Sequence, residues 1–107
     1  MLNLLRRGAP AFESLSPAAG WQVPDDAIWL DLLNPTRDEE LAVEAALGLE
    51  LPTAEEMAQL EPSSRLYQEN GATFMTATLL SRAGAGPKSV PVTFVLAKGL
   101  LITIRYD

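Results

Sequence analysis

Two helix-start signals lie in the middle of this chain, between segments that have the composition of β-strands. Thr36 is followed three positions later by Glu39, and Thr53 is followed in the same way by Glu56. Each pair forms a capping box, in which the hydroxyl accepts a backbone N–H of the first helical turn and the glutamate accepts the N–H of the threonine. The sequence therefore predicts a helix from Thr36 to Gly48 and a second, shorter helix that begins at Thr53.

The apolar residues of each predicted helix fall on one face. In the first helix this face consists of Ala42, Val43, Ala46 and Leu47, while Glu40 and Glu44 share another face. In the second helix, about two turns long, the stripe consists of Ala54, Met57, Ala58 and Leu60. Pro62 ends this helix because the residue before a proline avoids helical geometry. Glu55 and Glu56 remain near its N-terminal end, where at least one is expected to be exposed.

Strand-like runs flank the two helices. Before them lies Ile28–Leu33, which is expected inside the sheet. After them lie residues 65–69, 72–80, 90–97 and 100–106. Asn70-Gly71 and Lys98-Gly99 predict two-residue hairpins, so these four runs form an antiparallel meander. The run 90–97 is apolar on both faces and is expected to be covered on both sides.

The remaining segments are less regular. Residues 1–24 are weakly patterned and are expected to form edge strands and loops, with Leu2, Leu4 and Leu5 in a first strand. Residues 82–89 are expected to form a flexible loop between strands. The order strand, helix, helix and meander predicts an α/β fold with a mixed sheet and helices on at least one face. At 107 residues the chain has room for a single domain.

The acidic residues are unevenly distributed along the chain. Residues 25 to 61 hold 11 of the 14 and a single basic residue, Arg37. With a net charge of -6 and scattered Lys and Arg, the chain favours cations or a basic partner over nucleic acid. It has no Cys and no His, which excludes a thiolate nucleophile and the ligands that zinc usually prefers. Oxygen-ligand chemistry remains, and it suits Mg²⁺ or Ca²⁺.

Neither a membrane span nor a secretory signal is expected. No run reaches the roughly 18 to 20 apolar residues that a membrane helix requires. The short apolar start of the chain precedes its basic pair, Arg6-Arg7, which is the reverse of the order in a signal peptide. The expected setting is the cytosol.

The Glu55-Glu56 pair is the candidate functional site. General acid–base catalysis would need a pocket and a nearby His or Lys, and the sequence indicates neither, so no enzymatic activity is expected. Mg²⁺ binds proteins through one or two carboxylates and keeps most of its waters, so the pair suffices if a second subunit supplies another oxygen. The alternative is structural, with Glu56 completing the capping box and Glu55 solvated, and the residues alone favour this alternative.

Other acidic and aromatic residues have weaker claims to function. An acidic first turn suits the helix dipole, although Asp38, Glu39, Glu40 and Glu44 could together attract cations. Asp31 is expected at a strand edge, where it accepts backbone hydrogen bonds. Trp29 is expected in the core, Trp21 is expected to anchor a loop, and Asp25-Asp26 is expected to form a turn.

The order and spacing of several segments resemble the N-terminal cytosolic domain of CorA-like divalent-cation transporters. These segments are Trp29-Leu-Asp-Leu-Leu-Asn-Pro-Thr36, Glu39-Glu40, Leu47-Gly-Leu49, Glu55-Glu56 and Lys98-Gly-Leu-Leu-Ile-Thr-Ile-Arg105. The resemblance implies a pentameric, funnel-shaped magnesium channel, with zinc as an alternative cargo. Its cytosolic α/β domain hangs from a stalk helix and two C-terminal membrane helices, which this chain lacks. The chain is therefore expected to be a fragment that regulates and assembles such a channel without conducting ions itself.

The resemblance also gives the acidic pair a role. In the family, the matching pair on the second helix takes part in a Mg²⁺ contact with a neighbouring subunit that holds the channel closed. Two features depart from the family pattern: Glu56 stands where a shorter Asp is usual, and Pro62-Ser63-Ser64-Arg65 replaces an Arg-Pro-Lys element. The alternative hypothesis is a freestanding α/β module that binds another protein or a small ligand.

Overall fold

The computed structural model describes residues 1–58, 65–81 and 86–106, and it places their strands in a single sheet. In chain order the elements are β1 (Leu2–Arg6), β2 (Glu13–Leu15), β3 (Ala27–Leu33), α1 (Arg37–Leu47), α2 (Ala54–Ala58), β4 (Arg65–Glu69), β5 (Ala72–Ser81), β6 (Lys88–Ala97) and β7 (Leu100–Arg105). The seven strands lie in the order β2-β1-β3-β7-β6-β5-β4. The predicted α/β fold with two consecutive helices before a meander is confirmed.

The sheet is mixed, as the sequence predicts. β3 and β7 pair in parallel, and the other pairings in the described part of the chain are antiparallel. β3 is interior, as expected. β1 was predicted at an edge and is interior instead, because β2 adds outside it as a strand that the weakly patterned first segment does not reveal.

Both predicted hairpins are present. Asn70 and Gly71 have φ values of 50° and 78°, and Lys98 and Gly99 have φ values of 52° and 76°. Two consecutive positive φ angles define the turn whose twist matches that of paired strands. The predicted loop at 82–89 is wrong at its end, because residues 88 and 89 continue the ladder of β6, whereas residues 82–85 lie outside the described part.

The core lies between one face of the sheet and the two helices. From the sheet it takes alternate residues of the central strands, among them Leu30, Leu32, Ile102, Ile104 and Val95. From the helical side it takes Val43, Leu49, Leu51 and Met57. The predicted stripe on α2 is only partly correct, because Ala54 and Ala58 are exposed and Met57 is buried, while residue 60 lies outside the described part. α2 is therefore anchored through Met57.

The opposite face of the sheet is less well covered. Trp29 lies there, half-buried, with its ring 4.9 Å from that of Phe12 in an edge-to-face contact, and is outside the core in which it was expected. Leu96 is 56% exposed, so the prediction that β6 is covered on both sides is wrong at this end of the strand. Alternation alone shows that both faces are apolar, and it does not show what packs against them.

The start of α1 is held by three polar groups. Thr36 caps the helix and forms the predicted capping box with Glu39, and Gly48 closes the other end with a φ of 68°. Oε1 of Glu39 also lies 2.9 Å from the Met1 ammonium. Burial raises the pKa of Glu39, but the Thr36 N–H, the ammonium and the Thr36 hydroxyl favour its charged form more strongly, so the pKa of Glu39 is lowered overall.

This lowered pKa gives a pH prediction. Glu39 contributes stability above the pKa that it has in the unfolded chain, and this contribution is lost as the pH falls through the lower, folded-state pKa. Urea unfolding at pH 6 and at pH values below about 4 should show a smaller acid-induced loss of stability for Glu39→Gln than for the parent chain. Equal losses in the two proteins would contradict the assignment.

The core gives a second prediction. Leu32 is fully buried under the helices, and its truncation to Ala should lower the free energy of unfolding by about 2 to 5 kcal/mol. Leu96→Ala is the matched control, because the same change at this exposed site should cost less than about 0.5 kcal/mol. Urea unfolding measures both, and similar losses would show that the buried face is assigned wrongly.

Candidate functional site

α2 is positioned by the short connector that joins it to α1. The N–H of Leu51 donates to Oε2 of Glu44 at 2.9 Å, which fixes the chain immediately before the helix. The N–H of Met57 donates to the carbonyl of Thr53 at 2.9 Å and closes the first turn. Because Met57 is 2% exposed, the helix is attached to the core through one side chain.

The predicted acidic pair lies on the solvent side of this helix. Glu55 and Glu56 are both exposed. Glu56 completes the second capping box, since its Oε1 accepts the N–H of Thr53 at 3.1 Å and its own N–H donates to the Thr53 hydroxyl at 3.1 Å. Among the described residues, Glu55 has no side-chain hydrogen bond or ion pair. The structure therefore shows the arrangement that the residues alone favour: Glu56 completes the capping box and Glu55 is exposed to solvent.

The acidic patch proposed for α1 is not formed. Glu39 is engaged with Met1 and Thr36, and Glu44 accepts the amide of Leu51. Glu40 was predicted on a polar face, but it is only 7% exposed. Its Oε2 accepts from Nη1 of Arg37 at 2.9 Å. These carboxylates hold the fold together, and of the four only Asp38 remains exposed without such a role among the described contacts.

Tyr106 is a partner of Glu40 that the sequence did not reveal. Its hydroxyl donates to Oε1 of Glu40, from the position directly after β7. Burial, together with the hydrogen bond to this carboxylate and the carboxylate's negative charge, raises the pKa of Tyr106 well above its usual value. The parallel pairing of β3 with β7 brings Tyr106 beside the start of α1. The contact could be predicted from sequence only if this pairing were known.

Asp31 has a different environment from the one predicted. It lies in an interior strand, not at an edge, and its Oδ1 accepts from the hydroxyl of Thr103 at 2.7 Å. That hydroxyl in turn accepts from Nε1 of Trp29 at 2.9 Å. This chain of hydrogen bonds links β3 to β7 through side chains, so Asp31 stabilises the parallel pair. Asp25 and Asp26 form the predicted turn, and Asp26 pairs with Arg6 at 2.7 Å.

A groove of about 760 Å³ runs between α1 and α2. Its lining includes four carboxylates, those of Glu44, Glu50, Glu56 and Glu69, and one guanidinium, that of Arg37. Within the described ranges, no three acidic side chains are close enough together to enclose a metal ion. Such a groove attracts cations without chelating them, which suits an ion that keeps its hydration shell or takes another ligand from a partner.

A second cleft, of about 870 Å³, lies on the other side of α1. It is bounded by residues 17–25, by the helix and by the turn at Lys98. Trp21 lines it and packs against the core, in agreement with its predicted role as a loop anchor.

None of the described helices is long and apolar enough to cross a membrane.

Comparison with curated proteins finds relatives named magnesium transport protein CorA. The chain is 32% identical to the magnesium transport protein CorA of Wolinella succinogenes over 113 residues, which cover 99% of this chain and 35% of the relative. It is 30% identical to the CorA protein of Campylobacter jejuni strain RM1221 over 95 residues, covering 80% of this chain and 29% of the relative. The CorA protein of Salmonella typhimurium is 33% identical over 81 residues, 75% of this chain and 26% of the relative.

No family model matches the chain. The matched region spans about a third or less of the length of these relatives. It nevertheless includes most of this chain, with both helices and the strands around them, in each of the three alignments. The chain belongs to the CorA-like family.

Proposed function

We propose that this chain is a regulatory and assembly domain of a CorA-like magnesium transporter, placed at the cytoplasmic face of the membrane. In this proposal, transport belongs to other parts of the full-length protein and the chain itself conducts no ions. Its role is to sense divalent cations through Glu55 and Glu56 and to pass the response to neighbouring copies in a pentamer. The observation that supports the proposal best is the exposure of both carboxylates on a helix that one buried methionine anchors.

The electrostatics of α2 support a cation-dependent contact between copies. Two bare carboxylates on one exposed turn repel the carboxylates of another copy, and a divalent ion that bridges them replaces this repulsion with attraction. Gathering oxygens from two copies also fits the finding that no three acidic side chains of the described residues are close enough together to hold an ion. Ion concentration is then converted into a shift between separated and associated copies.

We expect the two departures from the family pattern to change the affinity of the α2 site for Mg²⁺ more than the position of its carboxylates. Glu56 is one methylene longer than the usual Asp, and it is engaged in the capping box. The residues that replace the Arg-Pro-Lys element lie mostly outside the described ranges. We therefore expect weak binding, with Glu55 as the principal ligand and Glu56 as a second oxygen source.

The cleft beside Trp21 favours a second candidate function, that of a freestanding small-ligand module. Its volume of about 870 Å³ lies within the range of ligand sites. Its lining comes mainly from residues 17–25 and from α1, with Asp25, Asp38 and Lys98 as its charged members. Such a module would respond to an organic ligand at the cleft and would not depend on the carboxylates of α2.

Titration of the 107-residue chain with Mg²⁺ tests the site directly. Amide chemical shifts of Glu55 and Glu56 should move with an apparent dissociation constant on the order of 1 mM, as for exposed oxygen sites with few protein ligands. Glu55→Gln should weaken this response at least about threefold, because a carboxylate attracts the ion more strongly than an amide. Glu56→Gln should have a smaller effect, since glutamine at this position preserves the capping box.

Asp38→Asn is the matched control for this titration. It removes one negative charge from the same acidic segment, and Asp38 is exposed, lies on α1 and does not line the groove between the helices. Its titration should match that of the parent at constant ionic strength. An equal loss in Asp38→Asn and Glu55→Gln would indicate a diffuse charge effect, and unchanged α2 shifts in the parent would reject the cation site.

Association between copies is the second test of the proposal. If the ion bridges copies, Mg²⁺ at millimolar concentration should raise the weight-average mass seen by sedimentation equilibrium, and NaCl of equal ionic strength should not. Glu55→Gln should abolish the difference between the two salts. A mass that is the same in both salts would contradict ion-dependent assembly of this chain.

A further inference from the structure

A continuous set of polar contacts connects α2 with the end of the last strand. At one end, Oε2 of Glu44 accepts the amide of Leu51, just before α2. Oε1 of the same carboxylate lies 3.9 Å from Nη1 of Arg37. At the other end, Arg37 and Tyr106 both donate to Glu40. The contacts therefore run from the connector, across α1, to the residue that follows β7.

The composition of this network indicates that it is specific. Arg37 is the single basic residue between residues 25 and 61, and its Nη1 lies 2.9 Å from Glu40 and 3.9 Å from Glu44, two partly buried carboxylates of α1. Glu40 and Glu44 have side chains that are 10% and 18% exposed. A partly buried carboxylate is costly unless it is paired and hydrogen-bonded, so each contact in the set stabilises the others.

We infer that Glu44 is the positioning residue for the acidic pair of α2, and that Arg37, Glu40 and Tyr106 couple its position to the end of β7. α2 has few other attachments: its described part is five residues long, and only Met57 is buried. The carboxylate of Glu44 holds the amide of Leu51, whose side chain is buried in the core, and so it helps to fix the connector from which the helix starts. The regulatory meaning of this coupling rests on the proposed function, whereas the coupling itself is a property of the fold.

The coupling runs through side chains on a rigid helix. α1 carries Arg37, Glu40 and Glu44 at successive spacings of three and four residues, which places them in one row along its surface. A displacement of α2 that lengthens the contact with Leu51 changes the field at Arg37, and so changes the competition between Glu40 and Glu44 for one guanidinium. The change at Glu40 affects Tyr106, because the tyrosine hydroxyl donates a hydrogen bond to this carboxylate.

Amide hydrogen exchange of the metal-free 107-residue chain tests the inference. The reporter is the amide of Met57, which donates to Thr53 within α2 and touches none of the coupling side chains directly. Glu44→Ala should accelerate its exchange about tenfold, the effect of losing a charge-assisted hydrogen bond on local opening. Tyr106→Phe, which removes only a hydroxyl at the far end of the network, should accelerate it about threefold.

Two controls separate positioning from general stability. Glu50→Ala removes an exposed carboxylate from the same connector and should leave the exchange of Met57 within about twofold of the parent. The amide of Val95, in interior strand β6, reports global opening, and its exchange should be accelerated less than that of Met57 in Glu44→Ala and Tyr106→Phe. Faster exchange of Met57 relative to Val95 in both Glu44→Ala and Tyr106→Phe supports the inference.

Three results would overturn it: an unchanged Met57 rate in Tyr106→Phe, equal acceleration in Glu50→Ala and Glu44→Ala, or parallel acceleration of Val95. None of these results depends on a metal ion. Failure of the Mg²⁺ titration at α2 would reject the proposed function and leave the exchange result valid. Normal Mg²⁺ binding together with an unchanged Met57 rate would reject the coupling alone.

Discussion

The parallel pairing of β3 with β7 is the contact on which the rest of this structure depends. It aligns Trp29 with Leu101 and Leu33 with Arg105, so that strands from opposite ends of the chain lie side by side at the centre of the sheet. The hydrogen bond from Thr103 to Asp31 joins residues 72 positions apart. Closing so long a loop lowers the conformational entropy of the chain. Burial of the leucines and isoleucines on the core face of these strands offsets most of this loss.

Because the two strands are parallel, their carboxyl ends meet at the same edge of the sheet. The N–H of Asn34, after β3, donates to the carbonyl of Arg105 at 2.9 Å. α1 starts three residues later, and Tyr106 contacts it from the end of the other strand. The acidic first turn of α1, the Met1 ammonium and the Tyr106 hydroxyl therefore lie together at this edge. There Glu39 and Glu40 accept hydrogen bonds from groups of the same chain.

This dependence on long-range pairing explains which features the sequence could predict. The two capping boxes, the stop at Gly48 and both hairpins were correct, because each is decided by residues within a few positions of one another. β2, the environment of Asp31 and the burial of Glu40 were missed or predicted wrongly. The environment of Asp31 and the burial of Glu40 depend on contacts with residues 72 and 66 positions further along the chain, in and just after β7. β2 pairs with the nearby β1, and it was missed because the first segment is weakly patterned. For Glu55 and Glu56 the sequence predicted the local environment, with Glu56 in the capping box and Glu55 in water, because residues within one helical turn decide it.

The distribution of structural roles among the carboxylates narrows the candidate site. Of the glutamates in α1, each accepts a hydrogen bond from a group of the same chain, so binding an ion there would first require breaking that contact. Glu55 carries no such cost among the described contacts, and Glu56 gives up only part of a capping box. The proposed cation site is therefore placed on α2, although α1 holds more carboxylates, because the availability of an oxygen matters more than the number of charges nearby.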